Sequence, residues 1–327
     1  MSEQVIWVHR FPEKKLNAGV FMYNIFLMLQ KEHPNILKIY SCLTFQSFLK
    51  LFLKSWNGNN KIIFHAQYGS LTGFQVLFLK GEKVLTLRGS DFFIIKYGSL
   101  FEKIHSRFSV FLTYISLIGY DKIIVMSNDM KKRIPKYFIK KTFVLPDSID
   151  YDKFYPQPQK KYFFRKKYFN QYVLDAKLIL FVSIDLTNPI KRYQLAIDSV
   201  NLANKKVGFN KFVLVTASNI EHAYMHEVMN AVDLCLLTSS HEGWPNCIKE
   251  AIATNIPFVA TDVSDLKNLI SNMYCNCFIS NDNVDDLSNA LLKVNFNRSF
   301  DLRNLLTDFS YSNYSYNIFK IYKTIKP

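Results

Sequence analysis

The sequence predicts an α/β protein built on two open parallel sheets, and three observations carry that expectation. Short apolar runs alternate with helical ones along the whole chain. Most of the apolar runs are continuous in Val, Ile, Leu and Phe with little polar alternation, as strands of a parallel sheet buried on both faces are. The segments between them, such as KRYQLAIDSVNLAN and DDLSNALLKV, have helical composition. Strand and helix taking turns at this spacing is the pattern of a doubly wound sheet.

In the first half the candidate strands are VIWVHRF, ILKIYSC, KIIFHAQ, KVLTLRG, DKIIVMS and KTFVLPD. In the second half they are LILFVSI, KFVLVTA, LCLLTSS, PFVATDV and CFIS. The break between the sheets falls in DKFYPQPQKKYFFRKKYFNQYVLDAK, Asp152 to Lys177, which has two prolines, then charges and aromatics, and no clear strand. The lysine-rich run KKRIPKYFIKK, Lys131 to Lys141, looks by itself like an RNA- or membrane-binding patch. The last stretch, SNYSYNIFKIYKTIK, is an amphipathic helix with Tyr, Ile and Phe on one side.

At 327 residues the chain has room for two domains, each with its own core. A hydrophobic content of 49% excludes a disordered chain. The formal charge is +15, with residues 1–150 carrying 21 Lys/Arg against 10 Asp/Glu, a net +11. Such a half implies an anionic partner: nucleic acid, a membrane surface or a phosphorylated substrate. No RNP, zinc or helix-turn-helix signature is present, so nucleic acid is not expected.

Five cysteines without a CxxC pair fit a reducing compartment. The start MSEQVIWVHR runs directly into a strand-like stretch rather than a signal peptide. The longest apolar run, Phe108 to Tyr120, has 13 residues, short of the ~18 needed to span a bilayer. A cytoplasmic protein is expected.

The stretch HEGWPNCIKE, His241 to Glu250, concentrates the chemistry. It follows the strand-like DLCLLTSS, and Pro245 suits the start of a helix through NCIKEAIAT. Glu242 then lies in the loop and Glu250 in the second helical turn. Ligands of an open parallel sheet sit beyond the carboxyl ends of its strands, where such a loop lies. A helix N-terminus with amides near Asn246, Cys247 and Ile248 suits a phosphate. Carboxylates repel phosphate but accept strong hydrogen bonds from hydroxyls. A ligand with phosphates at its centre and hydroxyl-rich rings at both ends, a sugar nucleotide, meets both requirements.

The segment SSHEGWPNCIKEAIATNIPFVATDVSDL resembles the C-terminal signature of family 4 glycosyltransferases, retaining enzymes of the two-Rossmann GT-B fold. RGSDFF, VMSNDMKK, LPDSIDYDKFYP, NPIKRYQLAID and VMNAVDLCLLTS have counterparts in the same order, with motif density highest over residues 179–266. The resemblance implies an acceptor domain at residues 1–155, a nucleotide-sugar domain at 156–305, the two facing a cleft, and a helix at 306–327 returning to the first domain. It implies that Glu242 binds the transferred sugar and Glu250 the ribose. Lys191, with Arg192 beside it, would face the diphosphate. Gly243, Trp244, Pro245 and Asn246 would line the donor pocket, and Gly19 would admit the phosphates closely. Arg88 stands where many members have a histidine, and His65 and Asp91 are acceptor-side candidates. The run VSIDLTNPIKR lacks the arginine often found ahead of the lysine, and Asp147-Ser148-Ile149-Asp150 replaces the usual Asn-Gly-Val-Asp.

The implied reaction moves a sugar from a nucleoside diphosphate sugar to a hydroxyl with retention and without a metal or other cofactor. The acceptor would belong to a polysaccharide, a lipopolysaccharide or a lipid-linked precursor, at an anionic membrane face. The other readings of these residues are bland. Both glutamates could merely favour the helix dipole. Lys191 and Arg192 could be a solvated pair, Arg88 and Asp91 could pair with each other, and His65 could be a satisfied core histidine. His222 and His226 have i, i+4 spacing but no HExxH arrangement, and a metal site there is set aside. For the whole chain, a non-catalytic GT-B scaffold, a glycosidase using both glutamates, or a basic nucleic-acid- or membrane-binding protein are the rival functions.

Overall fold

The computed structural model describes residues 4–12, 19–34, 37–42, 44–57, 61–171, 176–270, 276–296 and 301–325. The chain forms two compact units, one of residues 1–95, 99–148 and 311–327, the other of residues 96–98 and 149–310. The crossing at 148/149 lies ahead of the 155/156 boundary that the resemblance implies. The reason is local: Ile149 N–H already donates to Phe309 O at 2.9 Å, and the Tyr151 hydroxyl to Leu306 O, both within the second unit.

In the first unit, β1 (Gln4–His9), α1 (Val20–Glu32), β2 (Leu37–Ser41), α2 (Phe45–Asn57), β3 (Ile62–Ala66) and α3 (Ser70–Val76) follow one another. Then come β4 (Glu82–Leu87), α4 (Leu100–Ser116), β5 (Lys122–Val125), α5 (Asn128–Arg133) and β6 (Thr142–Val144). The six strands pair in parallel in the order β2-β1-β3-β4-β5-β6. Only the step from β1 to β2 runs one way; every later step runs the other. Right-handed crossovers therefore set α1 on one face of the sheet and α2 to α5 on the opposite face.

The second unit opens with α6 (Lys161–Phe169), inside the stretch expected to be a plain break. Its Phe164 and Phe169 are buried, and charge anchors it as well. Arg165 Nε donates to Ala231 O at 2.8 Å, and Lys161 Nζ lies 2.8 Å from the Asp233 carboxylate, which the Arg165 guanidinium also meets. After it come β7 (Lys177–Phe181), α7 (Tyr193–Val207), β8 (Phe212–Thr216), α8 (Met225–Ala231), β9 (Leu234–Leu237) and α9 (Asn246–Ala253). β10 (Phe258–Thr261), α10 (Leu266–Ile270), β11 (Phe278–Ser280) and α11 (Val284–Lys293) complete it. Its parallel sheet has the order β11-β10-β9-β7-β8. Ile179, Phe181, Leu234 and Leu236 of the strands pack with Val200 of α7 and Leu291 of α11 in its core.

All eleven strand runs read from the sequence are strands among the described residues, in two parallel sheets. Cys42, Cys235, Cys247 and Cys277 are buried and free of disulfides; Cys275, like Asn17 and Ala18 before Gly19, lies outside the described residues. No described helix is long and apolar enough to cross a membrane.

The last helix, α12 (Tyr311–Lys323), belongs to the first unit. Its Tyr322 hydroxyl accepts from Trp7 Nε1 at 2.9 Å and meets His65 Nδ1 at 2.6 Å, while His65 Nε2 meets Thr86 Oγ1 at 2.7 Å. His65 is fully buried, and burial, then the Arg88 charge, hold its pKa well below the ordinary value. His65 is thus a neutral core histidine rather than an acceptor-side group. Burial lowers His9 too, to about 4.

Two outcomes follow for stability. Tyr322→Phe leaves the Trp7 and His65 ring nitrogens without a buried partner and should cost about 1–3 kcal/mol in chemical denaturation. Because His9 and His65 titrate lower when folded than unfolded, the unfolded chain binds more protons below pH 6.5. Their contribution is complete above 6.5 and declines as pH falls toward about 4. The thermal midpoint should therefore drop between pH 7 and 5, and less steeply in His9→Gln.

Candidate active site

In the second sheet the winding direction reverses between β7 and β9, so the loops after these two adjacent strands part to opposite faces. Such a reversal leaves a crevice at the carboxyl edge where ligands of open α/β sheets bind. Lys191 lies in the loop after β7, and Glu242 in the loop after β9.

The two loops are stitched to each other. Ser240 N–H donates to Ile190 O at 2.8 Å, and the Thr238 hydroxyl to Lys191 O at 2.7 Å. Arg192 has φ 54°, an uncommon conformation for a non-glycine residue, as the chain turns into α7. Its side chain folds back so that Nε donates to Thr238 O at 2.7 Å and Nη2 to Ser239 O at 3.1 Å, with Nη1 2.9 Å from Asp282. A guanidinium committed to two carbonyls and a carboxylate is a clamp on the loop. Arg192, expected beside Lys191 at a diphosphate, is here engaged with the loop after β9.

Lys191 Nζ lies 2.6 Å from Glu242 Oε1, which also accepts from Ser239 Oγ at 2.7 Å. The two side chains retain 25% and 16% of their exposure, so the pair is neither a surface bridge nor sealed from a ligand. Burial disfavours the lysine ammonium, but the Glu242 charge outweighs it and holds Lys191 above the ordinary lysine value. The solvated Lys-Arg pair considered from the sequence does not occur.

Glu250 occupies the fifth position of α9, in its second turn, and is 5% exposed. It is not the solvent-facing helix residue of the bland reading. His222 Nε2 meets Glu250 Oε1 at 2.8 Å, and Lys153 Nζ donates to the His222 carbonyl at 3.0 Å. His222 is the functional neighbour that sequence reasoning missed. It follows β8 in the loop of the strand next to β7, so topology brings it to Glu250; sequence spacing alone tied it only to His226.

Between the glutamates, Pro245 caps α9 from just outside rather than filling its first position. The amides of Asn246 and Cys247 precede the first ladder bond, from Ile248 N–H to Pro245 O at 3.1 Å, and so lie at the positive end of the helix. Gly243 is pinned by Ser264 Oγ donating to its carbonyl at 2.7 Å. Trp244 is nearly buried, edge-on to Phe309 at 4.7 Å, with Lys249 Nζ 5.6 Å from its ring centre. That burial makes Trp244 a prop under the turn.

In the first unit the corresponding reversal lies between β1 and β3. Gly19 starts α1 with φ 68°, and a Cβ there would come within 2.6 Å of the Phe11 ring, so both conformation and space demand glycine. Arg88 and Asp91 do not pair through their side chains. The Arg88 guanidinium bonds to the Asp147 carboxylate and to Gln67 Oε1 at 2.8 Å, beneath the Phe21 ring at 4.6 Å. Asp91 is fully buried and gathers the amides of Gly69, Arg88 and Gly89 at 2.7–2.9 Å. It is thus a loop organiser with no face for an acceptor. Gln67, also fully buried, spends its oxygen on Arg88 and leaves Nε2 without a partner. Sequence reasoning missed Gln67 and Asp147, although both stand at the ends of the strand runs KIIFHAQ and KTFVLPD.

This architecture is the GT-B fold. Sucrose-phosphate synthase from Thermosynechococcus elongatus superposes with a TM-score of 0.75 at 14% identity, over 98% of this chain and 99% of that one. HepE from Anabaena, solved in complex with UDP, gives 0.69 at 13% identity over 98% and 100%. The catalytic domain of starch synthase IV from Arabidopsis thaliana, bound to ADP and acarbose, gives 0.68 at 12% over 99% of each. Among curated protein sequences none matches this chain. Residues 188–295, the segment that carries Lys191, Glu242 and Glu250, match the family model described as glycosyl transferases group 1.

The clamp can be tested without touching any group that faces the crevice. Arg192→Lys keeps the charge but cannot reach two carbonyls and a carboxylate at once. It should lower stability by about 1–3 kcal/mol in chemical denaturation. It should also weaken nucleotide binding in calorimetry, because Lys191 loses its support.

Proposed function

We propose that the protein transfers a sugar from a nucleoside diphosphate sugar to an acceptor hydroxyl, with the second unit holding the donor. The observation that carries this reading is the arrangement at the β7/β9 reversal. Two carboxylates flank the start of α9, each with its own cationic or imidazole partner, beside the free amides of Asn246 and Cys247. The match to group 1 glycosyltransferases over the same residues supports it, as does the shared fold of HepE, which was solved with UDP-glucose.

In this reading Glu250 accepts from the ribose hydroxyls through the oxygen that His222 leaves open. His222 fixes the carboxylate by holding Oε1. The diphosphate lies at the α9 amides and draws Lys191 away from Glu242. That exchange frees Glu242 to accept from hydroxyls of the sugar while the ammonium meets the charge building on the leaving phosphate. The acceptor hydroxyl attacks from the face that the diphosphate leaves, giving retention; the departing phosphate takes its proton. Charge on the diphosphate is met by Lys191 and backbone amides, so the reading includes no metal or other cofactor. Glu242, Lys191 and Glu250 with the Gly243–Asn246 turn form the site, and Arg192 and His222 position it.

The first unit takes the acceptor in this proposal. Its net positive half-chain suits a sugar acceptor carried on an anionic or lipid-linked precursor, as in polysaccharide or lipopolysaccharide assembly, at the cytoplasmic face of a membrane.

The division of labour between the glutamates is measurable. Glu250→Gln should raise the Kd for the preferred nucleoside diphosphate among UDP, GDP and ADP, because ribose binding is uniform through the reaction. Glu242→Gln should leave that Kd within about twofold and cut kcat at least tenfold, about 1.4 kcal/mol. Equal losses of nucleotide affinity in both variants would refute the division; full activity in both would refute the site.

A further inference from the structure

Helix α4 buries one face and leaves an apolar stripe in solvent on the other. Phe101, Ile104, Phe108 and Phe111 are 78%, 55%, 58% and 57% exposed, and Ile118 in the turn beyond is 72% exposed. They recur at intervals of three, four and seven residues, so they share one side of the helix. Helix α2 repeats the arrangement: Phe45, Leu49, Leu53 and Trp56 are 73%, 42%, 51% and 55% exposed.

Both stripes belong to one surface. Right-handed crossovers set α2, α3 and α4 on the same face of the first sheet. The Trp56 indole donates to Phe78 O at 3.3 Å and Ser55 Oγ accepts from Lys80 N–H at 3.2 Å, which ties the end of α2 to the end of α3. Ser70 N–H donates to Thr113 Oγ1 at 2.7 Å and Tyr120 to Gly73 O at 2.8 Å, which ties α3 to α4. An apolar area spread over three neighbouring helices exceeds the scattered exposure ordinary for a monomer and marks an interaction surface.

Its charge says with what. Residues 45–118 hold nine Lys/Arg and three Asp/Glu. Of the acids, Asp91 is buried and Glu102 is turned back in the capping box with Ser99, while Glu82 opens a strand. Helices α2 and α3 contain no acid, and Lys50 and Lys54 flank the α2 stripe as Lys103 and Arg107 flank that of α4. Helices with aromatic and aliphatic residues on one side and lysines beside them lie in the plane of a membrane, rings among the acyl chains and ammonium groups at the headgroups. A protein partner would need acids at the same spacing around an apolar socket; an anionic bilayer supplies both features over any area.

We infer that the α2–α4 face of the first unit docks on an anionic lipid bilayer by shallow insertion of these two stripes. The inference rests on the proposed function in one respect, since it brings the acceptor unit to the surface that carries a lipid-linked acceptor.

The test uses the full chain with vesicles of phosphatidylcholine alone or with phosphatidylglycerol, and acyl-chain-brominated lipid as a quencher. Trp7 and Trp244 are 0% and 7% exposed, so Trp56 is the indole open to lipid. Flotation with the anionic vesicles and quenching of Trp56 fluorescence, lost in Trp56→Phe, are expected. Phe101→Ser with Phe108→Ser should lower partitioning at least tenfold without changing the thermal midpoint, and Lys50→Gln with Lys54→Gln should weaken its salt dependence. Failure of the wild-type chain to float, equal partitioning to neutral vesicles, or unchanged partitioning of the Phe101→Ser, Phe108→Ser variant overturns the inference. A concentration-dependent dimer abolished by the same pair does so as well, by assigning the face to a second copy. Calorimetry with UDP, GDP and ADP separates the two readings. A chain that floats but binds none of them keeps the docking face and loses the donor site, and the converse result does the opposite.

Discussion

Everything at the candidate site depends on one guanidinium. The loop after β7 must leave its strand, pass the crevice and enter α7, and the Arg192 backbone makes that turn in a conformation rare for its type. The two carbonyls at the end of β9 hold it there, and its own side chain reaches back for them. The backbone turn and the side-chain bonds therefore sustain each other. Lys191, one residue earlier, inherits its place from that closure, and so does the ion pair it makes with Glu242. A lysine at position 192 would match the charge and lose the geometry.

A second constraint is the balance of charge in a partly dry place. Two carboxylates and an ammonium group near the start of a helix would each cost free energy if left alone. They are distributed so that Glu242 answers Lys191, and Glu250 shares a hydrogen with His222. A site of this kind is self-satisfied, and a ligand gains only the difference between its own bonds and those it displaces. A ligand group that competes for Lys191 must offer it more than the one carboxylate of Glu242 does.

Legibility of the fold and of the site differed for physical reasons. Parallel strands announce themselves by unbroken β-branched and aromatic runs, and all eleven could be read because their burial leaves no polar alternation to confuse them. Helix α6 was less legible, since its aromatics are interleaved with charges and part of its anchorage is a carboxylate on another segment. At the site, Glu242, Glu250 and the turn between them were legible because ten consecutive residues carry them. The partners of these groups were not. His222 meets Glu250 only after the sheet has ordered its strands, and nothing in residue type separates a clamp from a ligand group. The same limit explains His65 and Asp91. A polar residue at a strand end looks alike whether it faces a crevice or closes a core, and the Tyr322 hydroxyl that decides the matter for His65 lies 257 residues away.

That distance has a consequence for the order in which the protein can be made. The first unit is assembled from both ends of the chain, with the whole second unit inserted between its pieces. On a ribosome, residues 149–310 emerge complete while the earlier unit still lacks its last helix, and the Trp7 and His65 ring nitrogens await a hydroxyl not yet synthesised. The later-made unit is the first able to close, reversing the usual N-terminal-first sequence of multidomain folding. Until α12 has emerged, the first unit stays open at the place that helix fills.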